Sequence, residues 1–272
     1  MSTKNLLTTK GPFKAEYLRS GDPYELSNGH AILCLPTGGR GSRANLLGGV
    51  VLGSDPDVAT AGVDTGFAPE PDTLRAPDVA VGAIPDTPGW VKGAPALAVE
   101  YVDSGDDEVA LAEKIADLLK AGTRLVWVVR LGSQPCVEVH QSKQPVQVYR
   151  PGQLLEAPGV LKNPVPVEAL YDREAAHAVT LRNLLQRRGY ADLEAVRAAG
   201  EAEGEAKGRV EGEAMGRLDG SIVILLKLLT AKFGPLPTET VARIENASLE
   251  ELQFWSVQLL TATTLEEVLG AG

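Results

Sequence analysis

A strand–helix–strand segment in the middle of the chain constrains its fold more than any other feature. Residues 94–102 are short and apolar, and residues 124–130 (Arg-Leu-Val-Trp-Val-Val-Arg) form a near-continuous apolar run typical of a central strand. Between them, residues 106–121 have an acidic start and a following Gly122, which suit the two ends of a helix. The apolar face of this helix is Leu111, Ala112, Ile115, Leu118 and Leu119. Strands around one helix predict a mixed α/β sheet.

Further strands are predicted on both sides of this segment. Residues 22–35 form two short strand-like runs around Ser27-Asn28-Gly29, and Asn-Gly is a strong hairpin signal. Residues 64–81 indicate strand, loop and strand, and 137–140 and 146–149 indicate two more strands. The glycine-rich stretch 36–49 is predicted to carry only a short, weak helix. Prolines at 151, 158, 164 and 166 predict that 151–171 is irregular.

The pattern changes after residue 172. Residues 173–218 are rich in Ala, Glu and Arg, and glycines recur every four residues from Gly200 to Gly220. On a helix this spacing makes a stripe of small residues, which suits either close contact with another helix or a solvated, flexible connector. Residues 219–233 and 238–269 predict helices separated by Gly-Pro-Leu-Pro. We therefore expect a first domain over 1–172, a helical connector over 173–220 and a small helical domain over 221–272.

Charge, cysteine spacing and the length of apolar runs argue against broad nucleic-acid binders, zinc proteins and membrane proteins. The net charge of -10 argues against broad electrostatic capture of nucleic acid, although metal ligands that carry negative charge are compatible with it. Cys34 and Cys136 have no CxxC spacing, so a zinc site is not expected. The longest apolar stretch, 222–229, is short and contains Lys227, and the N-terminus lacks the apolar core of a signal peptide. A cytoplasmic protein without a membrane span is the expectation.

Three residues suggest a chemistry. Asp78 precedes a strand-like run, Glu100 lies in a second one 22 residues later, and Lys114 lies on the flank of the following helix. Two carboxylates on adjacent strands can hold a hard divalent cation that keeps open positions for water and a phosphate. A nearby lysine can orient or deprotonate the attacking water, or neutralise charge on the phosphorane. This set indicates a metal-dependent phosphodiesterase.

Five segments of the first 172 residues resemble the Uma-two family, a branch of the PD-(D/E)xK nuclease-like proteins. They are Pro-Tyr-Glu-Leu-Ser-Asn-Gly at 23–29, Pro-Thr-Gly-Gly at 36–39, Arg-Ala-Pro-Asp-Val-Ala at 75–80, Gly-Ala-Pro-Ala-Leu-Ala-Val-Glu at 93–100 and the long run 113–129. The resemblance implies a restriction-endonuclease-like mixed β-sheet core with a flanking helix, followed here by an α-helical C-terminal region. Segments 226–234, 235–245 and 248–269 resemble the helical tail found after some transposase-like and Rpn-type nuclease domains.

The resemblance also implies roles for individual residues. Asp78 and Glu100 become ligands of Mg²⁺ or Mn²⁺, Lys114 becomes the catalytic lysine, moved from the strand to the following helix, and Glu25 becomes an additional acid beside the metal. The sequence departs from the family pattern at Leu118, where tyrosine is usual, and in the segment after Glu100.

Two functions remain open from the sequence. The first is a metal-dependent endodeoxyribonuclease that grips DNA through Arg40, Arg43, Arg75 and Arg124. The second is a catalytically reduced protein with a nuclease fold that acts as an interaction or self-assembly module through its helical tail. In either case the C-terminal helices are expected to form a homodimer or a larger assembly.

Overall fold

The computed structural model describes residues 11–103 and 107–270. Within these ranges the strands are β1 Tyr24–Ser27, β2 His30–Leu33, β3 Ala61–Val63, β4 Phe67–Ala68, β5 Val79–Val81, β6 Val91–Lys92, β7 Leu97–Val102, β8 Leu125–Arg130, β9 Cys136–His140, β10 Gln147–Tyr149, β11 Leu154–Leu155 and β12 Val165–Pro166. The helices are α1 Gly39–Ser54, α2 Glu108–Lys120, α3 Arg173–Arg187, α4 Leu193–Phe233, α5 Thr238–Glu245, α6 Leu249–Gln258 and α7 Leu265–Leu269. Short 3-10 helices cover Ala15–Tyr17 and Val167–Leu170.

A mixed sheet forms the centre of the first unit. Among the described residues it has six strands in the order β10-β9-β8-β7-β5-β3. The central pair β7 and β8 is parallel, and the other neighbours are antiparallel. The chain returns from β7 to β8 through α2, as expected for a parallel connection. The mixed α/β sheet predicted from residues 94–130 is therefore confirmed.

The two faces of this sheet bury different helices. Val79, Val99 and Trp127 are fully buried on one face, in the cluster that also contains α1 and α3 side chains. Alternate residues such as Ala98 and Val126 point to the other face, where Ile115 and Leu118 of α2 cover them. The predicted apolar face of this helix is correct for Ile115 and Leu118 and for the partly buried Leu111 and Leu119, which pack against the same cluster. It is wrong for Ala112, which is exposed. Asp107 caps α2 by accepting hydrogen bonds from Val109 and Ala110, and the predicted first residue, Asp106, lies outside the described residues.

The prediction of a short, weak helix in the glycine-rich stretch 36–49 was wrong, because α1 runs for 16 residues from Gly39 to Ser54. Its buried positions are Gly41, Ala44, Asn45, Gly48, Val51, Leu52 and Ser54. Small residues at this spacing let the helix lie close to the sheet. A Cβ atom on Gly48, for example, would overlap the hydroxyl of Tyr101. Tertiary packing overrides the low helix propensity of glycine here.

The predicted hairpin is confirmed. β1 and β2 are antiparallel with Ser27 opposite His30, which leaves Asn28 and Gly29 as a two-residue turn. Both turn residues have positive φ, 47° and 78°, as a type I′ turn requires. Residues 151–171 are not fully irregular, since β11 and β12 pair as a small antiparallel ladder.

The chain divides into two compact units at Leu193. Helix α3 lies before that point and packs into the first unit, where the side chain of Arg187 donates to the carbonyl oxygen of Ser54 at 2.8 Å. The second unit contains most of α4, which is continuous through the glycine-rich segment, and α5 to α7. Leu225, Leu229, Ile244, Leu252 and Trp255 form its core. None of the described helices is both long and apolar enough to cross a membrane.

Candidate active site

Two acids meet where strands β5 and β7 pair. The strands are antiparallel with Val79 opposite Val99, so the same register continued by one residue sets Asp78 across from Glu100. Glu100 is only 6% exposed and lies on the sheet face covered by α2. The structure therefore brings together two acids that stand 22 residues apart in the sequence.

Lys114 extends from α2 into this site. Its Nζ lies 3.0 Å from Glu100 Oε2 and 3.0 Å from Glu25 Oε1, and it donates to the carbonyl oxygen of Ala76 at 2.8 Å. These three acceptors match the three protons of an ammonium group. Burial disfavours the charged form of Lys114, but attraction to Glu100, Glu25 and Asp78 outweighs burial and raises its pKa above the usual range. Lys114 is thus held as a cation between two strands.

Glu25 connects Lys114 to a second buried cation. Arg75, whose side chain is 3% exposed, places Nη1 3.2 Å from Glu25 Oε2. The same guanidinium donates through Nε and Nη2 to Asp117 Oδ2, at 2.9 and 2.7 Å. Ser27 donates to that oxygen at 2.8 Å. The hairpin that carries Glu25 is therefore joined to helix α2 by charged hydrogen bonds.

Asp78 is held by the backbone of the neighbouring strand. Its Oδ2 accepts a hydrogen bond from the Tyr101 amide at 2.6 Å. Burial raises the pKa of Asp78 and the charge of Asp64 adds to the rise, while Lys114, the Tyr101 amide and the Asn45 side chain oppose it. The amide of Tyr101 in β7 orients the carboxylate.

Glu100 is the most strongly perturbed carboxyl of the site. Burial raises its pKa to about 8, the negative charges of Asp78 and Glu25 add to the effect, and Lys114 opposes it. Only one of its oxygens contacts Lys114. The other, Oε1, is buried and has no hydrogen-bond partner among residues 11–103 and 107–270. A buried oxygen of this kind is costly unless a further group uses it.

The charges of the site suit a divalent cation. Glu25, Asp78, Glu100 and Asp117 face Arg75 and Lys114, which leaves two uncompensated negative charges when all six groups are ionised. The carboxylates of the site offer oxygen atoms as metal ligands, and Mg²⁺ and Mn²⁺ prefer oxygen ligands. In the described part of the chain, no group of three or more His, Cys, Asp or Glu side chains is placed so that it could hold a metal ion. Asp78 and Glu100 fit as a pair of ligands, with Glu100 Oε1 the oxygen that lacks a partner.

An open cleft of about 550 Å³ leads to these groups. Glu25, Asp78 and Lys114 line it, together with Asp64 and Cys34. Burial, followed by the charge of Glu25, raises the pKa of the Cys34 thiol. The cleft gives solvent and a ligand access to Asp78 and Lys114, whereas Glu100 is buried and is not one of its lining residues.

The expected DNA-gripping arginines do not form one surface. Arg75 cannot contact DNA, because it is buried and bound to Glu25 and Asp117. Arg124 precedes β8 and donates to the carbonyl oxygen of Gly159, at the end of the strand remote from Glu100. Arg40 and Arg43 lie in the first turns of α1, where Arg40 Nε donates to Asp103 at 2.7 Å.

Sequence reasoning missed three residues of the site, which are Asn45, Tyr101 and Asp117. It also missed the structural role of Arg75. Asn45 could have been noticed as the amide on an otherwise small and apolar helix face. The backbone donor of Tyr101 and the pairing of Arg75 with Asp117 carry no local signal, because they join segments that are 23 and 42 residues apart.

Comparison with known proteins identifies a family and a similar fold. Residues 13–168 match the model of the Uma2 family, described as "Putative restriction endonuclease", so the chain belongs to that family. The fold is similar to the crystal structure of a "putative nuclease belonging to DUF820" from Anabaena variabilis, with a TM-score of 0.51 and 19% sequence identity. That match covers 61% of this chain and 99% of the other. A search of curated proteins found no match.

Proposed function

We propose that this Uma2-family chain is a metal-dependent endodeoxyribonuclease whose site consists of Asp78, Glu100, Lys114 and Glu25. The observation that carries the proposal is the buried Oε1 of Glu100, which has no hydrogen-bond partner in the described part of the chain. It belongs to a residue opposite Asp78 and beside a lysine that two carboxylates hold in place. Family membership supports phosphodiester hydrolysis as the reaction. A Mg²⁺ or Mn²⁺ ion held by Asp78 and Glu100 would polarise a phosphate oxygen and acidify a bound water.

Each of the four residues has its own role in the proposed reaction. Asp78, fixed by the Tyr101 amide, presents its carboxylate to the cleft, and the buried Glu100 on the neighbouring strand would supply the second carboxylate. Lys114 stays protonated because its pKa is raised, so it does not act as the base that deprotonates water. Its charge instead orients Glu100 and offsets negative charge that develops on the phosphorane. Glu25 keeps Lys114 in place and is itself held by Arg75.

In the reaction, the oxygen of water forms a bond to phosphorus and one ester P–O bond breaks. The products are a phosphate monoester and a hydroxyl, and the proton of the attacking water passes to solvent or to the leaving oxygen. DNA would approach through the open cleft, with Arg40 and Arg43 in the first turns of α1 as candidate phosphate contacts. We place the protein in the cytoplasm.

The test is cleavage of supercoiled and single-stranded DNA by purified protein in Mg²⁺, Mn²⁺ or EDTA. Glu100→Gln removes the charge and leaves the shape, so it is expected to abolish nicking. Glu113→Gln is the matched control, because Glu113 lies on the same helix as Lys114 but is exposed. Metal-dependent nicking by the wild type and by Glu113→Gln, and none by Glu100→Gln, supports the proposal. A folded wild type that cleaves neither substrate in either metal refutes it and favours the interaction module.

A second role, self-association through α4, is supported by the charge pattern of that helix. A Cβ atom added to any of the glycines from Gly200 to Gly220 would meet no atom of the described residues within 4 Å, so the stripe is open. At about 100° per residue, Arg209 and Glu213 flank one side of the Gly208–Gly212 step, and Lys207 and Glu211 flank the other.

Since each flank carries both a cation and an anion, a second copy that packs against this stripe can set cations of one helix near anions of the other, so we propose a homodimer through α4. The expected result in sedimentation is a dimer that Arg209→Glu weakens and that the added change Glu213→Arg restores. A wild type that is monomeric at all concentrations would contradict it.

A further inference from the structure

Helix α1 carries one amide on the face that packs against the sheet. The buried positions of its first three turns are Gly41, Ala44, Asn45 and Gly48, spaced three and four apart so that they form one stripe. Asn45 is 6% exposed and is the only member of these four that has a polar side chain. A hydrophobic residue of similar size would suit plain packing better, so the amide needs a separate explanation.

The neighbours of this stripe place Asn45 at the acidic site. Gly48, one turn after Asn45, lies against the hydroxyl of Tyr101 so closely that a Cβ atom would not fit. The amide of Tyr101 donates to Asp78 at 2.6 Å, and Tyr101 follows Glu100 in β7. Asn45 therefore lies on the side of α1 that is turned toward Tyr101 and Asp78. Its side chain opposes the rise that burial causes in the pKa of Asp78.

The side-chain oxygen of Asn45 is a second feature that points to a ligand. Its Oδ1 is buried and finds no hydrogen-bond partner within the described ranges, 11–103 and 107–270. Glu100 Oε1 is in the same condition. Both belong to side chains that interact with Asp78. Two buried oxygens that lack hydrogen-bond donors, both on side chains that interact with Asp78, are satisfied if a group that supplies positive charge or hydrogen-bond donors binds beside that carboxylate.

We infer that Asn45 is a positioning residue of the cation site, with Nδ2 holding Asp78 and Oδ1 accepting a hydrogen bond from water bound to the cation. This inference rests on the proposed metal-dependent function. Mg²⁺ and Mn²⁺ sites of this kind retain several waters, and groups that bind those waters orient them and tune affinity. The amide adds an oxygen without adding a third uncompensated negative charge to the site, which an aspartate would do.

The test is Mn²⁺ binding measured by calorimetry on the full chain without DNA. Asn45→Ala removes both contacts, and we expect its affinity for Mn²⁺ to fall by about 10- to 100-fold, as for other groups that support metal ligands. The matched control is Asn183→Ala. Asn183 is also a buried amide beside α1, but it bonds to Ser54 at the far end of that helix, at 3.1 Å. This control is expected to lose thermal stability and to keep the affinity of the wild type.

A second variant covers the case in which Asn45→Ala does not fold. Asn45→Asp keeps an oxygen acceptor and adds charge, so Mn²⁺ should raise its melting temperature by more than it raises that of the wild type. If Asn45→Ala binds Mn²⁺ as tightly as the wild type, or Asn45→Asp gains no extra stabilisation, the role is structural only and the inference is wrong. A wild type that binds no Mn²⁺ overturns the cation of the proposed function as well, so the two failures are distinguishable.

Discussion

Replacing Arg75 by methionine tests whether the buried charge network holds the site together. Its guanidinium makes three contacts, to Glu25 at 3.2 Å and to Asp117 at 2.9 and 2.7 Å, with its side chain only 3% exposed. Methionine keeps most of the volume but leaves two carboxylates without this partner. Removing one member of a buried ion pair costs about 3–5 kcal/mol. Asp117 is 15% exposed and keeps Ser27, and Glu25 keeps Lys114, so we expect about 3 kcal/mol.

A loss of that size lowers the melting temperature by about 6–12 °C in a unit of this length. The assay is thermal unfolding followed by tryptophan fluorescence, since Trp90 and Trp127 both lie in the first unit. Arg40→Met is the control, because it removes an exposed arginine that also pairs with an aspartate, Asp103, and it should leave the transition unchanged. If Arg75→Met melts with the wild type, the network does not stabilise the fold and our reading of Arg75 is wrong.

Three further results are expected. The pKa of Glu100 is raised from 4.5 to about 8, so the folded protein holds a proton there that the unfolded chain releases. The stability of the metal-free protein should therefore fall as pH rises from about 5 to 8. Melting temperatures measured in EDTA check this, and an equally steep fall in Glu100→Gln would contradict it. Gly48→Ala should destabilise the protein by about 1–3 kcal/mol through overpacking against the Tyr101 hydroxyl. Adding Tyr101→Phe should restore part of the lost free energy of unfolding, measured with urea. If it restores none, the clash lies elsewhere. Lys114→Met should destabilise the protein more than Lys114→Arg in the same urea assay, since it leaves Glu25 and Glu100 without their shared cation; equal losses would assign the effect to packing.

Local patterns in the sequence predicted the elements that carry the site. Short segments determine their own backbone conformation in three places: the apolar run 124–130, the helical spacing before it and the Asn28-Gly29 turn. Strand burial, helix periodicity and positive φ are all properties of short segments. The same patterns failed for α1, whose glycines suggest a weak helix. One of them, Gly48, is required because the helix lies against the Tyr101 hydroxyl, which only the packed structure reveals.

The sequence by itself determined the order of strands and helix around the site and the positions of Asp78, Glu100 and Lys114 on them. Only the tertiary structure decided what each of these groups contacts. It moved Arg75 from a predicted DNA contact to a buried partner of Glu25 and Asp117, and it added Asn45 from a different helix. The physical reason is that local patterns set which face of an element is buried, whereas a buried charge is stabilised by whichever opposite charge or donor lies within about 3 Å, and that partner can come from anywhere in the chain.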